Sequence, residues 1–383
     1  MKSILIIPSW YDTPNNKIRG SFFKEQALAL REMGYKVTVL YSEVYSWKNI
    51  HEFIRVRKVR QYEENGVNVI RNAVLRKPKS GLVGIAKTYI KSITKLYDDH
   101  INNKIHIDLI HAHSAIWGGC AAEKICRVHD MKYIVTEHYS GVMRNSTPIE
   151  MKRSIRDVYK NSKTNVAVSQ ALANAMEQHF DAKNTTIIPN MVDVSKFDVG
   201  CDESYDSQFT FFALSNLFEG KAVDVLVRAF SEVVAINPKS KLLIGGDGPE
   251  REKIIKLISE LKLEKNIELL GRLDRYKVNE NMQKCNAFIH TSRFETFGIV
   301  LIEALACGKP VISTKSGGPN QFINDENGIL IDVDDVKGIS SAMLLLVENI
   351  NTYNSSDIRK YCIQNFSEDV VMAKVTHLYE KMI

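Results

Sequence analysis

The sequence predicts an α/β protein made of two doubly wound, Rossmann-like domains. Three observations carry that prediction: a length of 383 residues, short apolar runs alternating with helical stretches in both halves, and a polar stretch between them. So long a chain exceeds what a single hydrophobic core usually serves. Strand-helix alternation in which the strands read as continuous apolar runs implies a parallel sheet covered on both faces.

In the first half KSILIIP reads as a strand and SFFKEQALALREMG as a helix closed by Gly34. KVTVLY is the next strand, followed by strands at HIDLIHAH, KYIVTEH and TNVAVS. Ser169 stands where a helix N-cap belongs, ahead of QALANAMEQHF, and TTIIPN closes the half. VDVSKFDVGCDESYDS, residues 192–207, has neither periodicity and reads as the linker. The pattern then restarts with QFTFFALS, the helix VDVLVRAFSEVVAI, KLLIGG, a helix from Pro249, NIELLG and NAFIHTS. The helix after Phe297, PVISTKSG, GILI and helices from about Asp335 complete it. The expected domains are 1–191 and 208–360, with a last helix, 361–383, crossing back to the first.

Composition is that of an ordinary globular protein, 44% apolar and 25% charged. The opening apolar run, Ile4 to Ile7, stops at Pro8, too short for a signal-peptide core, and no apolar stretch approaches the ~18 residues of a membrane span. Six cysteines are scattered without a CxxC pair, which reads as buried thiols in a reducing cytoplasm. The net charge of +6 is uneven: residues 48–95 hold twelve Lys/Arg against three Glu, a local +9. Lys87, Lys91 and Lys95 fall on one side of a helical stretch and Ile85, Tyr89, Ile93 and Leu96 on another, a pattern that fits an anionic lipid surface or a plain solvated face. It matches no nucleic-acid-binding module, and no nucleic-acid partner is expected.

Open parallel sheets bind ligands beyond the carboxyl ends of their strands, so the residues directly after strands are the site candidates. After NAFIHTS comes the loop RFETFG and a helix starting near Gly298 or Ile299. The first turn of a helix has unpaired N–H groups and the positive dipole end, which suit phosphate, and Gly298 allows close backbone approach. Glu303, one turn in, is placed to accept hydrogen bonds from two ribose hydroxyls. Glu295, in the loop, faces the group attached to the phosphate. The plain alternative is that such acids merely offset the dipole.

Glu295 and Glu303, with FGIVLIEALACGKPVIST and the following SGG, resemble the donor-site signature of glycosyltransferase family 4, retaining enzymes of GT-B fold. RGSFFKEQALAL, HAHSAIWGG, TEHYSG, IPNMVDVSKF, SNLFEGKAVDVLVRAF and GGDGPE follow the family in order, so the resemblance spans nearly the whole chain. It implies two domains facing across a cleft, the N-terminal one binding acceptor, the C-terminal one a nucleotide-sugar.

By that resemblance Glu303 holds the ribose, the backbone at Phe297, Gly298 and Ile299 the distal phosphate, and Glu295 the donor sugar. Lys221 matches the lysine that neutralises the leaving diphosphate, and Gly20 a loop glycine near the phosphates. His113 resembles the histidine facing the donor sugar. Glu137 and His138 are weaker candidates on the acceptor side, and Gly246 and Arg272 flank the base. His111 and His113 share a strand face, which would suit zinc, but a metal site needs further convergent ligands, and neither metal nor cofactor is expected. Two positions depart from the family: Asn216 stands where an arginine is common, and Gln321 ends the family's GGxxE.

The expectation is a retaining transferase moving a sugar from a nucleoside-diphosphate donor, UDP favoured, to a glycan or lipid-linked acceptor in surface-polysaccharide assembly. It would sit in the cytoplasm, peripherally on the membrane through residues 48–95. The alternatives are a GDP-sugar (mannosyl) transferase, a non-catalytic nucleotide-sugar-binding partner, and a GT-B epimerase or phosphorylase.

Overall fold

The structure, a computed structural model, describes residues 1–13, 20–199 and 208–383. The chain forms two compact units, residues 1–188 with 372–383, and residues 189–371.

The first unit holds eight strands: β1 (Ser3–Pro8), β2 (Lys36–Tyr45), β3 (Arg60–Glu64), β4 (Val67–Leu75), β5 (Leu109–His113), β6 (Tyr133–Glu137), β7 (Asn165–Ala167) and β8 (Thr185–Ile187). Their order is β3-β4-β2-β1-β5-β6-β7-β8, and every neighbouring pair is parallel except β3 with β4. All residues of β1, β5 and β6 are buried, which is why these runs lack polar alternation. From β1 the chain winds one way through β2 and the other way through β5, so β1 and β5 form the switch point.

The β3–β4 hairpin lies inside the basic segment and is not among the strands expected from sequence. Its turn is Asn65-Gly66, with φ of 48° and 82°, the two left-handed residues that a tight hairpin turn demands.

The second unit has β9 (Thr210–Leu214), β10 (Lys241–Gly245), β11 (Ile267–Gly271), β12 (Ala287–His290), β13 (Val311–Thr314) and β14 (Gly328–Ile331). All pairs are parallel, in the order β11-β10-β9-β12-β13-β14, which puts the switch point between β9 and β12. Its core, with Phe211, Leu226, Phe230, Ile289 and Met343, is closed by helices Val223–Ile236 and Val336–Asn349 packed on each other.

Two expected boundaries differ. Residues 192–199 of the expected linker are packed into the second unit, while 200–207 lie outside the described residues. Val192 N–H donates to the Phe366 carbonyl at 2.8 Å, Phe197 is buried, and the Arg359 guanidinium donates to the Val194, Phe197 and Ala306 carbonyls. At the other end, residues 361–371 stay with the second unit, because Phe366 packs on Phe297 and Phe322 and the helix Ser355–Phe366 packs on the helix Ile299–Ala306. Only from Met372 does the final helix, Glu368–Glu380, belong to the first unit.

The five described cysteines, Cys120, Cys126, Cys285, Cys307 and Cys362, are buried free thiols, and burial pushes each up to about 12. Among the described residues no helix is long and apolar enough to cross a membrane.

Candidate active site

At the switch point of the second unit, the segments leaving β9 and β12 are stitched together. Thr291 Oγ1 donates to the carbonyls of Lys221 and Ala222 (both 3.2 Å), Ser292 Oγ to that of Gly220 (3.2 Å), and the Arg293 N–H to Gly220 (2.8 Å). This fixes the backbone of the short 3₁₀ turn Glu219–Lys221, from which the Lys221 side chain extends.

The ammonium lies 2.7 Å from Glu295 Oε2, and His290 Nε2 lies 3.4 Å from the same oxygen. Burial works against a charged Glu295, but Lys221, His290 and the Phe297 N–H outweigh it and hold the carboxyl below its usual range. His290 is buried, and burial with the nearby Lys221 cation brings its pKa down to about 4, so it is neutral near pH 7. Its Nδ1 is buried without a hydrogen-bond partner. His290 was not among the sequence candidates. Its signal was position, the last residue of a strand at the switch point.

The Glu295 backbone is tied down as well, donating to the Ser316 carbonyl (3.0 Å) and accepting from the Gly318 N–H (2.8 Å). Phe297 turns its ring inward against Phe322 and Phe366, leaving its backbone to face the site. Gly298 follows at φ 101° as the N-cap of the helix Ile299–Ala306, a conformation closed to residues with a side chain except under strain. Glu303 is half-buried and is the one polar side chain of that helix, IVLIEALA.

Gly246, after β10, has φ 126°, and a Cβ there would sit 1.8 Å from the Ser215 carbonyl oxygen. It lets the GGDGP turn close onto the loop after β9, where Asn216 is exposed; Arg272, after β11, is exposed too. Gly246→Ala is expected to destabilise the fold by about 3 kcal/mol or more, since backbone must move to admit the methyl. Urea unfolding would measure it, and an unchanged midpoint would contradict the packing described.

In the first unit the candidates gather at the β1/β5 switch point. Gly20 caps the helix Ser21–Glu32, and His113 ends β5. His113 Nδ1 lies 3.2 Å from His138 Nε2, while His113 Nε2 is buried with no partner. Phe23 packs on both rings, at 4.8 and 5.1 Å. His111 is not available as a metal ligand: Nδ1 meets the Tyr379 hydroxyl (2.6 Å) and Nε2 that of Thr136 (2.8 Å). No group of three or more His, Cys, Asp or Glu able to hold a metal occurs among the described residues.

Glu137 requires a correction. It does not face an acceptor but is fully buried, receiving four donors: the N–H groups of Ala115 (2.9 Å), His138 (2.9 Å) and Tyr139 (2.8 Å), and the Tyr159 hydroxyl (2.6 Å). It braces the turns after β5 and β6 that carry His113 and His138. Removing one charge-assisted donor with Tyr159→Phe should cost about 2 kcal/mol, read from denaturant midpoints; no change would show the brace to be unimportant.

Three buried histidines also set an acid response. Burial brings His111 down to about 3 and His290 to about 4, and His113 well below its ordinary value. Above pH ~6.5 neither the folded nor the unfolded imidazole is charged; below it the unfolded chain takes up protons that the folded chain refuses. Stability should therefore fall as pH drops from about 6.5 toward 4. His111→Gln should flatten that fall in urea titrations, and an unchanged slope would contradict a neutral buried His111.

Two family patterns match the chain: Glycosyltransferase Family 4 over residues 20–196, and Glycosyl transferases group 1 over residues 202–365. Together they take in most of both units. The chain belongs to glycosyltransferase family 4. It is a glycosyltransferase enzyme, and its fold is GT-B. An uncharacterized glycosyltransferase of Methanocaldococcus jannaschii is 27% identical over 84% of this chain and 88% of its own. N-acetyl-alpha-D-glucosaminyl L-malate synthase of Bacillus anthracis is 26% identical over 72% of this chain and 74% of its own. An N-acetylgalactosamine-N,N'-diacetylbacillosaminyl-diphospho-undecaprenol 4-alpha-N-acetylgalactosaminyltransferase of Campylobacter jejuni is 33% identical over 44% of this chain and 45% of its own. Among solved structures, sucrose-phosphate synthase of Thermosynechococcus elongatus superposes with TM-score 0.80 at 18% identity, over 100% of this chain and 99% of that one. HepE of Anabaena, solved with UDP and glucose, gives 0.75 at 16% identity over 100% of both chains.

Proposed function

We propose that this transferase is a retaining enzyme that takes a sugar from a UDP-sugar and attaches it to a hydroxyl of a glycan or lipid-linked glycan. The observation that carries the reading is the Lys221 ammonium 2.7 Å from Glu295, beside the N-terminus of the Gly298-capped helix. A fixed cation and a row of N–H groups suit a leaving diphosphate. The neighbouring carboxylate suits the hydroxyls of the sugar attached to it, and Glu303, one turn along, suits the ribose. HepE, solved with UDP and with UDP-glucose, supports uridine as the base.

In the reaction the bond from the sugar's anomeric carbon to the diphosphate oxygen breaks and its electron pair leaves with the phosphate. The acceptor oxygen bonds to the same face of that carbon, and its proton passes to the departing phosphate oxygen. Lys221 and the helix N-terminus stabilise the charge that grows on the leaving group. Glu295, held by Lys221 and His290, orients the sugar. This reading calls for no divalent ion, so chelation should leave the rate unchanged. A rate abolished by chelator and restored by magnesium would contradict that part.

The relative from Campylobacter, named for a diphospho-undecaprenol-linked substrate, supports a lipid-linked acceptor and hence work at the cytoplasmic face of a membrane, in surface-polysaccharide assembly. The test is product formation by the purified protein from UDP-hexoses and UDP-N-acetylhexosamines with a diphospholipid-linked sugar. An α-linked product from an α-linked donor supports the reading; inversion at that carbon, or transfer from GDP-sugars alone, overturns it.

A further inference from the structure

At one end of the first unit's sheet, strands β2 and β4 finish in register, Tyr45 opposite Leu75, and the Arg76 N–H donates to the Tyr45 carbonyl at 3.0 Å. The two segments that leave them therefore emerge side by side. One carries Trp47 and Lys48 into the helix Ile50–Val56; the other carries Lys77 and Lys79 into the helix Gly81–His100. Trp47 is 55% exposed, Ile54 51% and Leu82 45%. The helix Ile50–Val56 has no buried residue; Phe53 merely leans on Tyr45, ring centroids 6.3 Å apart.

Scattered exposed apolar residues need no explanation, but these are interleaved with charge of one sign. Lys48, Arg55, Arg57, Lys58, Lys77 and Lys79 are exposed, and Glu52 is the one acid in residues 46–59 and 76–82. A tryptophan and branched aliphatics among cations match the boundary of an anionic bilayer, apolar at one depth and negative at the next.

We propose that this end of the first unit is a lipid-docking surface, with Trp47, Ile54 and Leu82 entering the headgroup boundary of a bilayer and the surrounding lysines and arginines meeting anionic lipid phosphates. It deepens the membrane reading given above by locating the contact. The lysine stripe on the helix Gly81–His100 is not the docking element: it carries no exposed apolar residue beyond Leu82, and Lys95 is paired with Asp99 at 2.9 Å. Arg71 is excluded as well, being 3% exposed and packed over the Tyr41 ring.

The test uses the full chain and vesicles of phosphatidylglycerol with phosphatidylcholine, against phosphatidylcholine alone, and needs neither donor nor acceptor. Failure here would thus leave the donor reading standing, and nucleotide titration would judge that separately. The protein should co-sediment with the anionic vesicles and shift its tryptophan emission to the blue, a shift lost in Trp47→Phe. Joint replacement Trp47→Ser, Ile54→Ser and Leu82→Ser, or Lys77→Ala and Lys79→Ala, should weaken partition at least about tenfold. Lys87→Ala with Lys91→Ala should change it less than either. Circular dichroism and urea midpoints serve as the check that each variant is folded. No co-sedimentation of the folded parent overturns the proposal. So does partition untouched by the serine set, or single-stranded RNA binding as tightly as vesicles with the serine set unaffected, which would mark a bare polycation.

Discussion

Lys221→Ala is expected to lower the rate of sugar transfer about a hundredfold at saturating donor, with a smaller effect on nucleotide affinity. Thr291, Ser292 and Arg293 fasten the backbone of its turn and Glu295 holds its ammonium, so on the proposed reading it would meet the leaving diphosphate with little reorganisation. Charge on the bridging oxygen is larger at the transition state than in the bound donor, and a fixed cation acts mainly on that difference. Without the lysine, Glu295 also loses its nearest counter-charge, at 2.7 Å. Single-turnover kinetics with the donor sugar would measure the loss. A variant within threefold of the parent would remove Lys221 from the chemistry.

Glu295→Ala should reduce transfer by a similar order, about thirtyfold or more, chiefly through lost orientation of the sugar. Here the ion pair is not the quantity being lost: the carboxylate is held by Lys221, His290 and the loop to Ser316 and Gly318, and on the proposed reading it would meet the sugar's hydroxyl groups. Glu295→Gln keeps the shape and one acceptor, and should recover part of the rate. UDP affinity should change little for either variant, because the nucleotide's contacts are assigned to Glu303 and the helix N-terminus. Equal losses in UDP affinity and in rate would place Glu295 on the nucleotide instead of the sugar.

The second unit was the more legible half in sequence. Its strands are short apolar runs separated by helices, and Gly298 with Glu303 announced the start of the site helix because few contexts need a glycine and an inner carboxylate there. Lys221 could be assigned only by resemblance, and its contact with Glu295, far away in the chain, comes from the stitching of two loops at the switch point. His290 escaped because a histidine ending an apolar strand looks like core until its neighbour at 3.4 Å is known. In the first unit the β3–β4 hairpin was legible in principle from Asn65-Gly66, but β3 reads RQYEE, polar or charged at four of its five positions, so it shows no apolar alternation. Glu137 misled for the opposite reason. A glutamate at a strand end reads as facing a ligand, whereas the backbone turns back to donate two N–H groups to it and Ala115, after β5, donates a third.

The central claim is that the β9/β12 switch point of the second unit holds a nucleoside diphosphate, with Glu303 on its ribose. Calorimetric titration of the purified protein with UDP and with GDP, repeated on Glu303→Ala, tests it most directly. The account predicts micromolar UDP binding, weaker GDP binding, and at least a tenfold loss of UDP affinity in the variant, about 1.4 kcal/mol or more. Absence of binding by either nucleotide to the folded protein, or UDP binding untouched by Glu303→Ala, would contradict it.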